Sequence, residues 1–245
     1  MQTTQRAAIP TLLALLLGFG LMQMGNTLQA TLLSVRGGIE GFSPAQIGAV
    51  GAGFWVGVVI GSLRCGKLIQ SVGHIRAFVA LGTIASTAPL LHLLLMDPIA
   101  WVVARALTGF CFAGLFIVVE SWLNSAATDE TRGQILSIYA MTGLLAGIVG
   151  QLLLPATDPA GFRAFCIVAI IIAFALVPIA LTRASAPAYE GEGARINIRR
   201  LYRQSPFGIV AAFLCGGSYK RVLHPGSGLR ATAGSRYWRS RGVHG

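Results

Sequence analysis

Arg105 is the residue whose placement makes the strongest chemical demand. It stands six residues inside the apolar run 99–123. If that run crosses a membrane, a guanidinium there costs ~2.5 kcal/mol or more towards the bilayer centre. Such a side chain either faces a wet cavity within a helix bundle or snorkels to the nearer headgroups. Glu120 lies fifteen residues further along the same run, beside Ser121 and Trp122. It reads as a protonatable coupling group or as an interfacial acid next to an aromatic anchor. Fifteen helical residues span ~22 Å, so Glu120 cannot pair with Arg105 directly. The first apolar run carries Gln23, Asn26, Thr27 and Gln29. The spacing of the first three places them on one helical face, where they can line a solute path or hydrogen-bond between helices. His92, near the end of another run, fits an interface better than a proton relay.

Other chemistries lack their residues. No HExxH, GxSxG or Walker loop is present, and the acids are too few and scattered for paired-carboxylate work. The glycines between residues 48 and 61 sit inside an apolar run and do not form a phosphate cradle. Cys65, Cys111, Cys166 and Cys215 form no CxxC pair, so neither a disulfide framework nor a metal site is expected. No cofactor and no enzymatic activity are expected.

These side chains need elements to hold them, and the composition says which. Of 245 residues, 54% are hydrophobic and 11% charged. A soluble domain carries about 25% charged residues, so this chain reads as an all-α polytopic membrane protein whose solvent is the lipid bilayer. Six runs reach the ~20 residues needed to cross ~30 Å of hydrocarbon: 8–33, 45–63, 77–96, 99–123, 135–154 and 165–181. Helices are the natural form, because each span must satisfy its own backbone hydrogen bonds in lipid. Arg6 before the first run resembles a signal peptide, but the run far exceeds a ~7–15-residue h-region and is read as a retained helix.

The net charge of +11 is read as topology rather than as nucleic-acid binding. With six spans and both ends inside, one side collects Arg6, Arg64, Lys67, Arg76, Arg132, Arg183, Arg195, Arg199, Arg200 and Arg203. The other side holds Arg36 and Arg163. Ten against two predicts an inner-membrane protein with a cytoplasmic N-terminus.

The spans also match in threes. The second and fifth are glycine-rich, with Gly53, Gly57 and Gly61 in one and Gly143 and Gly147 in the other, spacings that let helix backbones pack closely. The first and fourth carry the polar groups, and the third and sixth are bland. This is the imprint of a 3+3 inverted repeat, a hallmark of secondary transporters. Residues 1–183 form the six-helix unit and 184–205 a basic linker. Residues 206–219 open a seventh helix that, at about a dozen residues and ~18 Å, falls short of a span. Residues 220–245, basic and without periodicity, read as a disordered tail or as sequence out of frame after a truncation.

Two motifs carry a resemblance to the major facilitator superfamily and its YcaD-like branch. The segment after the second span resembles the GxLaDrxGrkr signature at Gly66, Leu68, Gly73 and Arg76. It departs at Gln70, where the family has aspartate, and at Ser71 and His74, where it has basic residues. In the fourth span, Arg105 to Gly109 with Gly114 resembles the RxxxG motif. The resemblance covers residues 8–217 and implies half of a twelve-helix carrier that moves a small solute by alternating access, driven by protons. It implies a cytoplasmic gate at Gly66, Leu68, Gln70, Gly73 and Arg76, and a substrate path with Arg105, Gln23, Asn26 and Glu120. Gly53, Gly57, Gly61, Gly109, Gly143 and Gly147 are expected to pack helices. A second transporter half, from another chain or a homodimer, is the expected partner, and a non-transporting membrane fragment is the alternative.

Overall fold

The computed structural model describes residues 2–181, with side chains from residue 12 onward. The linker, the seventh-helix start and the basic tail expected after residue 183 lie outside the described residues. Among those described, every regular element is helical. The order is α1 (Gln2–Ile39), α2 (Pro44–Val72), α3 (His74–Leu94), α4 (Pro98–Ala126), α5 (Arg132–Leu153), a single 3-10 turn (Leu154–Ala156), α6 (Arg163–Phe174) and α7 (Leu176–Ala180). Six stretches are long and apolar enough to cross a membrane, and α6 and α7 together make the sixth.

The helix ends follow from local chemistry. Ser43 caps α2 in a reciprocal capping box with Gln46, and Pro44 occupies the first turn, where its missing N–H is no loss. Asp97 caps α4, its carboxylate accepting from the Ile99 and Ala100 amides at 2.9 and 2.8 Å, with Pro98 following. The sixth span is broken where Pro178 lacks an amide proton and its ring crowds the carbonyl four residues back, that of Phe174. Helix α6 ends at that residue.

The segment Arg64–Arg76, which falls between the second and third apolar runs, is a corner. Helix α2 runs to Val72 and α3 starts at His74, so Gly66, Leu68 and Gln70 are helical. Gly73 alone makes the turn, at φ 86° and ψ 161°, a conformation open to glycine and costly for other residues. Its N–H donates to Ile69 O at 2.8 Å, closing α2. Arg64, Lys67 and Arg76 are exposed around this corner, which marks the basic end of the bundle.

The helices pack as an inverted repeat. The closest pairs are α2 on α4 and α1 on α5, followed by α3 on α4, α3 on α6 and α1 on α6. Exchanging helices one to three with four to six maps that set of contacts onto itself. Helices α1 and α4 open the two repeats and touch each other along little of their length.

Glycine sets the α2–α4 distance. A Cβ on Gly57 would lie 1.8 Å from Ala106 O, and one on Gly109 would lie 1.9 Å from Phe54 O. Gly53 and Gly61 extend the same seam towards Val102 O and Phe110 O, at 2.8 and 2.6 Å. In lipid, where apolar surface gains little by leaving the solvent, such backbone contact is what holds helices together. An aromatic ladder continues across the bundle through Phe54, Phe112, Phe116 and Phe19, with centroids 5.8–6.1 Å apart, and ends on Tyr139 of α5 at 4.2 Å.

At the α1–α5 contact a third glycine, Gly150, lies beside the expected pair. A Cβ on Gly143 would lie 3.1 Å from the Phe19 ring, a tight contact with a side chain, and one on Gly147 would have only Thr27 Oγ1 at 3.6 Å, an ordinary distance. Gly150 is where the backbones meet, since its Cβ would fall 2.4 Å from Met24 O. Gly150→Ala is therefore expected to lower the melting temperature clearly, and Gly147→Ala to leave it unchanged or raise it by about 1–3 °C through helix propensity. Thermal unfolding of the two variants in detergent checks this. The face of α5 turned away from α1 is uncovered: Leu144, Leu145, Ile148 and Leu152 are all exposed, and Gly150 is the helix's one buried residue.

Candidate functional site

Polar groups within the bundle gather at the end opposite the basic corner. Arg105, two turns into α4, is 4% exposed, so its side chain turns inward and does not snorkel. Its Nη1 donates to Oε1 of Gln29 on α1 at 3.2 Å, and its guanidinium carbon lies 4.5 Å over the Phe54 ring of α2. Three helices thus converge on one cation. Thr108, on the next turn of α4, is also buried, and its hydroxyl donates to Ala104 O at 2.8 Å.

Gln29 is the member of the first-span cluster that reaches Arg105, although it stands outside the face shared by Gln23, Asn26 and Thr27. It is fully buried, and its Nε2 has no partner among the described residues. Gln23 and Asn26 lie half-buried on α1, and their carbonyl oxygens Oε1 and Oδ1 are buried and without a partner among the described residues. Thr27 donates to Gln23 O at 2.8 Å, a bond within the helix.

His92, expected at an interface, is fully buried on α3. Its Nδ1 sits 2.6 Å from Ala88 O, and because a carbonyl only accepts, Nδ1 carries a proton; Nε2 has no partner among the described residues. Trp101 packs edge-on against the His92 ring at 5.6 Å and donates its indole N–H to the His92 and Leu95 carbonyls. This closes the α3–α4 connection. Nearby, Arg36 pairs with Glu40 at 2.7 Å and donates to the carbonyls of Pro159 and Ala160, tying the end of α1 to the α5–α6 connection.

Glu120 belongs to another place, towards the basic end. It is exposed, and its Oε1 accepts from the Tyr139 hydroxyl at 3.1 Å. Asn124, one turn on, donates to Glu120 O and accepts from Arg132 Nη2 at 3.3 Å. Residues 120 and 124 share a face of α4, and 132 and 139 share a face of α5, so this chain of bonds bridges two helices that otherwise touch little. Tyr139 did not stand out in the sequence. Its signal was a lone tyrosine one heptad after Arg132. On the corner, His74 Nε2 lies 3.2 Å from Ser121 Oγ, which connects α3 to α4 one residue from Glu120.

The comparisons with known proteins agree with this architecture. The sequence profile described as Major Facilitator Superfamily matches residues 15–220. An uncharacterized MFS-type transporter of Yersinia pestis (strain Pestoides F) is 33% identical over 109 residues, covering 44% of this chain and 28% of the relative. The MFS-type transporter YcaD of Escherichia fergusonii is 26% identical over 204 residues, covering 82% of this chain and 53% of the relative. The solved structure of the nucleoside transporter NupG, as its D323A mutant, superposes with a TM-score of 0.65 at 14% identity, over 82% of this chain and 51% of that one, a likeness of fold. The chain therefore spans about half the length, or less, of the relatives it matches. With six membrane-spanning helices arranged as an inverted repeat and a family profile covering most of its length, this multi-pass membrane protein belongs to the major facilitator superfamily.

Proposed function

We propose that the chain is one six-helix half of a secondary transporter, which moves a small solute across the inner membrane by alternating access and is driven by the proton gradient. The observation that carries this reading is the Arg105–Gln29 pair, buried between the opening helices of the two repeats. A buried cation costs stability in lipid and is retained where it serves a pathway. In this reading Gln23 and Asn26 meet the solute, and Glu120, held by Tyr139, is the protonatable group. The corner of Gly66, Leu68, Gln70, Gly73 and Arg76 is the gate. The exposed arginines and lysine of that corner support a cytoplasmic position for it, and for the N-terminus.

The uncovered face of α5 favours a second reading, in which the chain is a non-transporting membrane fragment or a structural half that packs on another chain. Reconstitution into vesicles with a trapped pH dye separates the two. Sugars, amino acids, hydroxy acids and nucleosides are offered in turn under an imposed proton gradient. The expected result is solute-dependent proton movement, confined to preparations in which the chain is dimeric or co-assembled. Proton movement with none of the solutes, in monomer and assembly alike, would favour the inert fragment.

A further inference from the structure

The hydrogen-bonding groups left open on Arg105 and Gln29 are donors. Its single hydrogen bond among the described residues goes to Gln29 Oε1, which leaves the other N–H donors of the guanidinium unmatched. Gln29 Nε2, a donor, is fully buried without a partner, and the bond from Arg105 sets the orientation of that amide. Among the described residues no carboxylate is placed to serve them. Asp97 is committed to the cap of α4, and Glu120 lies ~22 Å further along the same helix. The one ion pair among the described residues is Arg36–Glu40. His92 Nε2 has no hydrogen-bond partner among the described residues. The cluster is therefore a buried cation with spare donors and no anion.

Along α1 the pattern reverses. Gln23 Oε1 and Asn26 Oδ1 are buried acceptors without donors among the described residues. Residue 23 lies six residues, ~9 Å of helix, from residue 29. The groups on α1 thus change from open donors at one end to open acceptors at the other.

We infer that the solute taken by this site is a small organic anion, whose carboxylate or phosphate head is bound by Arg105 and Gln29 and whose hydroxyl or amino groups donate to Gln23 and Asn26. The inference rests on the transporter reading and adds the substrate class to it. Both head-binding residues are covered in this structure, so the anion enters when α1 and α4 part. The Arg105–Gln29 bond is the contact it must displace or share.

The test uses the full chain in detergent at constant chloride, with sodium gluconate, inorganic phosphate, mannitol and choline chloride as probes. Gluconate at about ten times its Kd is expected to raise the melting temperature by about 3–5 °C, with phosphate, which lacks the distal donors, giving less, and mannitol and choline giving nothing. Gln29→Glu places a carboxylate beside Arg105, so this variant is expected to fold with an unchanged or higher melting temperature and to lose the gluconate response. A parent chain indifferent to both anions overturns the anion class, as does a Gln29→Glu chain that responds to gluconate like the parent. Stabilisation by mannitol or choline instead overturns the class and leaves the transporter reading standing. Indifference to all four probes, together with no solute-dependent proton movement in vesicles, overturns both.

Discussion

Gly57→Ala and Gly109→Ala are each expected to reduce the yield of folded, monodisperse protein by about tenfold or more, as read by size-exclusion chromatography of the detergent extract. The new methyl in either case meets a main-chain carbonyl of the facing helix, at 1.8 Å from Ala106 O or 1.9 Å from Phe54 O. A side chain could rotate away, but backbone oxygen cannot move unless the helices separate. An ordinary close carbon–oxygen contact is about 3.3 Å, so the shortfall is well over an ångström at the closest point of the α2–α4 seam. Dispersion falls steeply with such a gap, and in lipid no hydrophobic term remains to hold the helices together. Separation would also lift Phe54 from Phe112 and from Arg105. Gly48→Ala and Gly51→Ala are the controls, because nothing lies within 4 Å of a Cβ at either position. They should stabilise the chain slightly, by up to about 1 kcal/mol of helix propensity each. Equal losses at all four sites would show that the yield reports the number of glycines and not the seam.

Arg105→Met should separate stability from function. Methionine follows the path of the arginine stem, keeps a contact with Phe54 and removes a cation from an apolar setting. Replacing a buried charge with an apolar side chain of similar size is often neutral or stabilising, so the melting temperature is expected to hold or rise. Uptake of whichever solute the parent carries should fall by about 30-fold or more, because truncating a buried, hydrogen-bonded charge costs ~2–5 kcal/mol of interaction. Arg105→Lys keeps the charge but loses the planar fork that bonds Gln29 and stacks on Phe54, and should recover only part of the rate. A variant that keeps both stability and uptake would remove Arg105 from the transport path.

How much could be read beforehand depends on the range of the interaction. The six spans and the threefold matching of glycine-rich, polar and bland helices depend on residues close in sequence. Apolar length and local hydrogen bonding carry that information along one helix at a time. The corner at Gly73 was partly legible. The glycine was visible in the motif, but helix continuing through Gly66, Leu68 and Gln70 was not, because a basic stretch between apolar runs looks like a loop whether or not it is helical.

The chain by itself determined that Arg105 stands inside an apolar run, that Gln23, Asn26 and Gln29 share a helix, and that α2 carries five glycines from Gly48 to Gly61. Only the tertiary structure decided that Gln29 reaches Arg105, that Phe54 lies beneath it, that Tyr139 holds Glu120, and that Gly150 rather than Gly147 meets α1. It also sorted the five glycines into the seam of Gly53, Gly57 and Gly61 and the open positions Gly48 and Gly51. The physical reason is the same in each case. A helical repeat determines which residues share a face, but which face meets which neighbour is set by the rotation and depth of two helices about each other, and no local pattern of residue types encodes that.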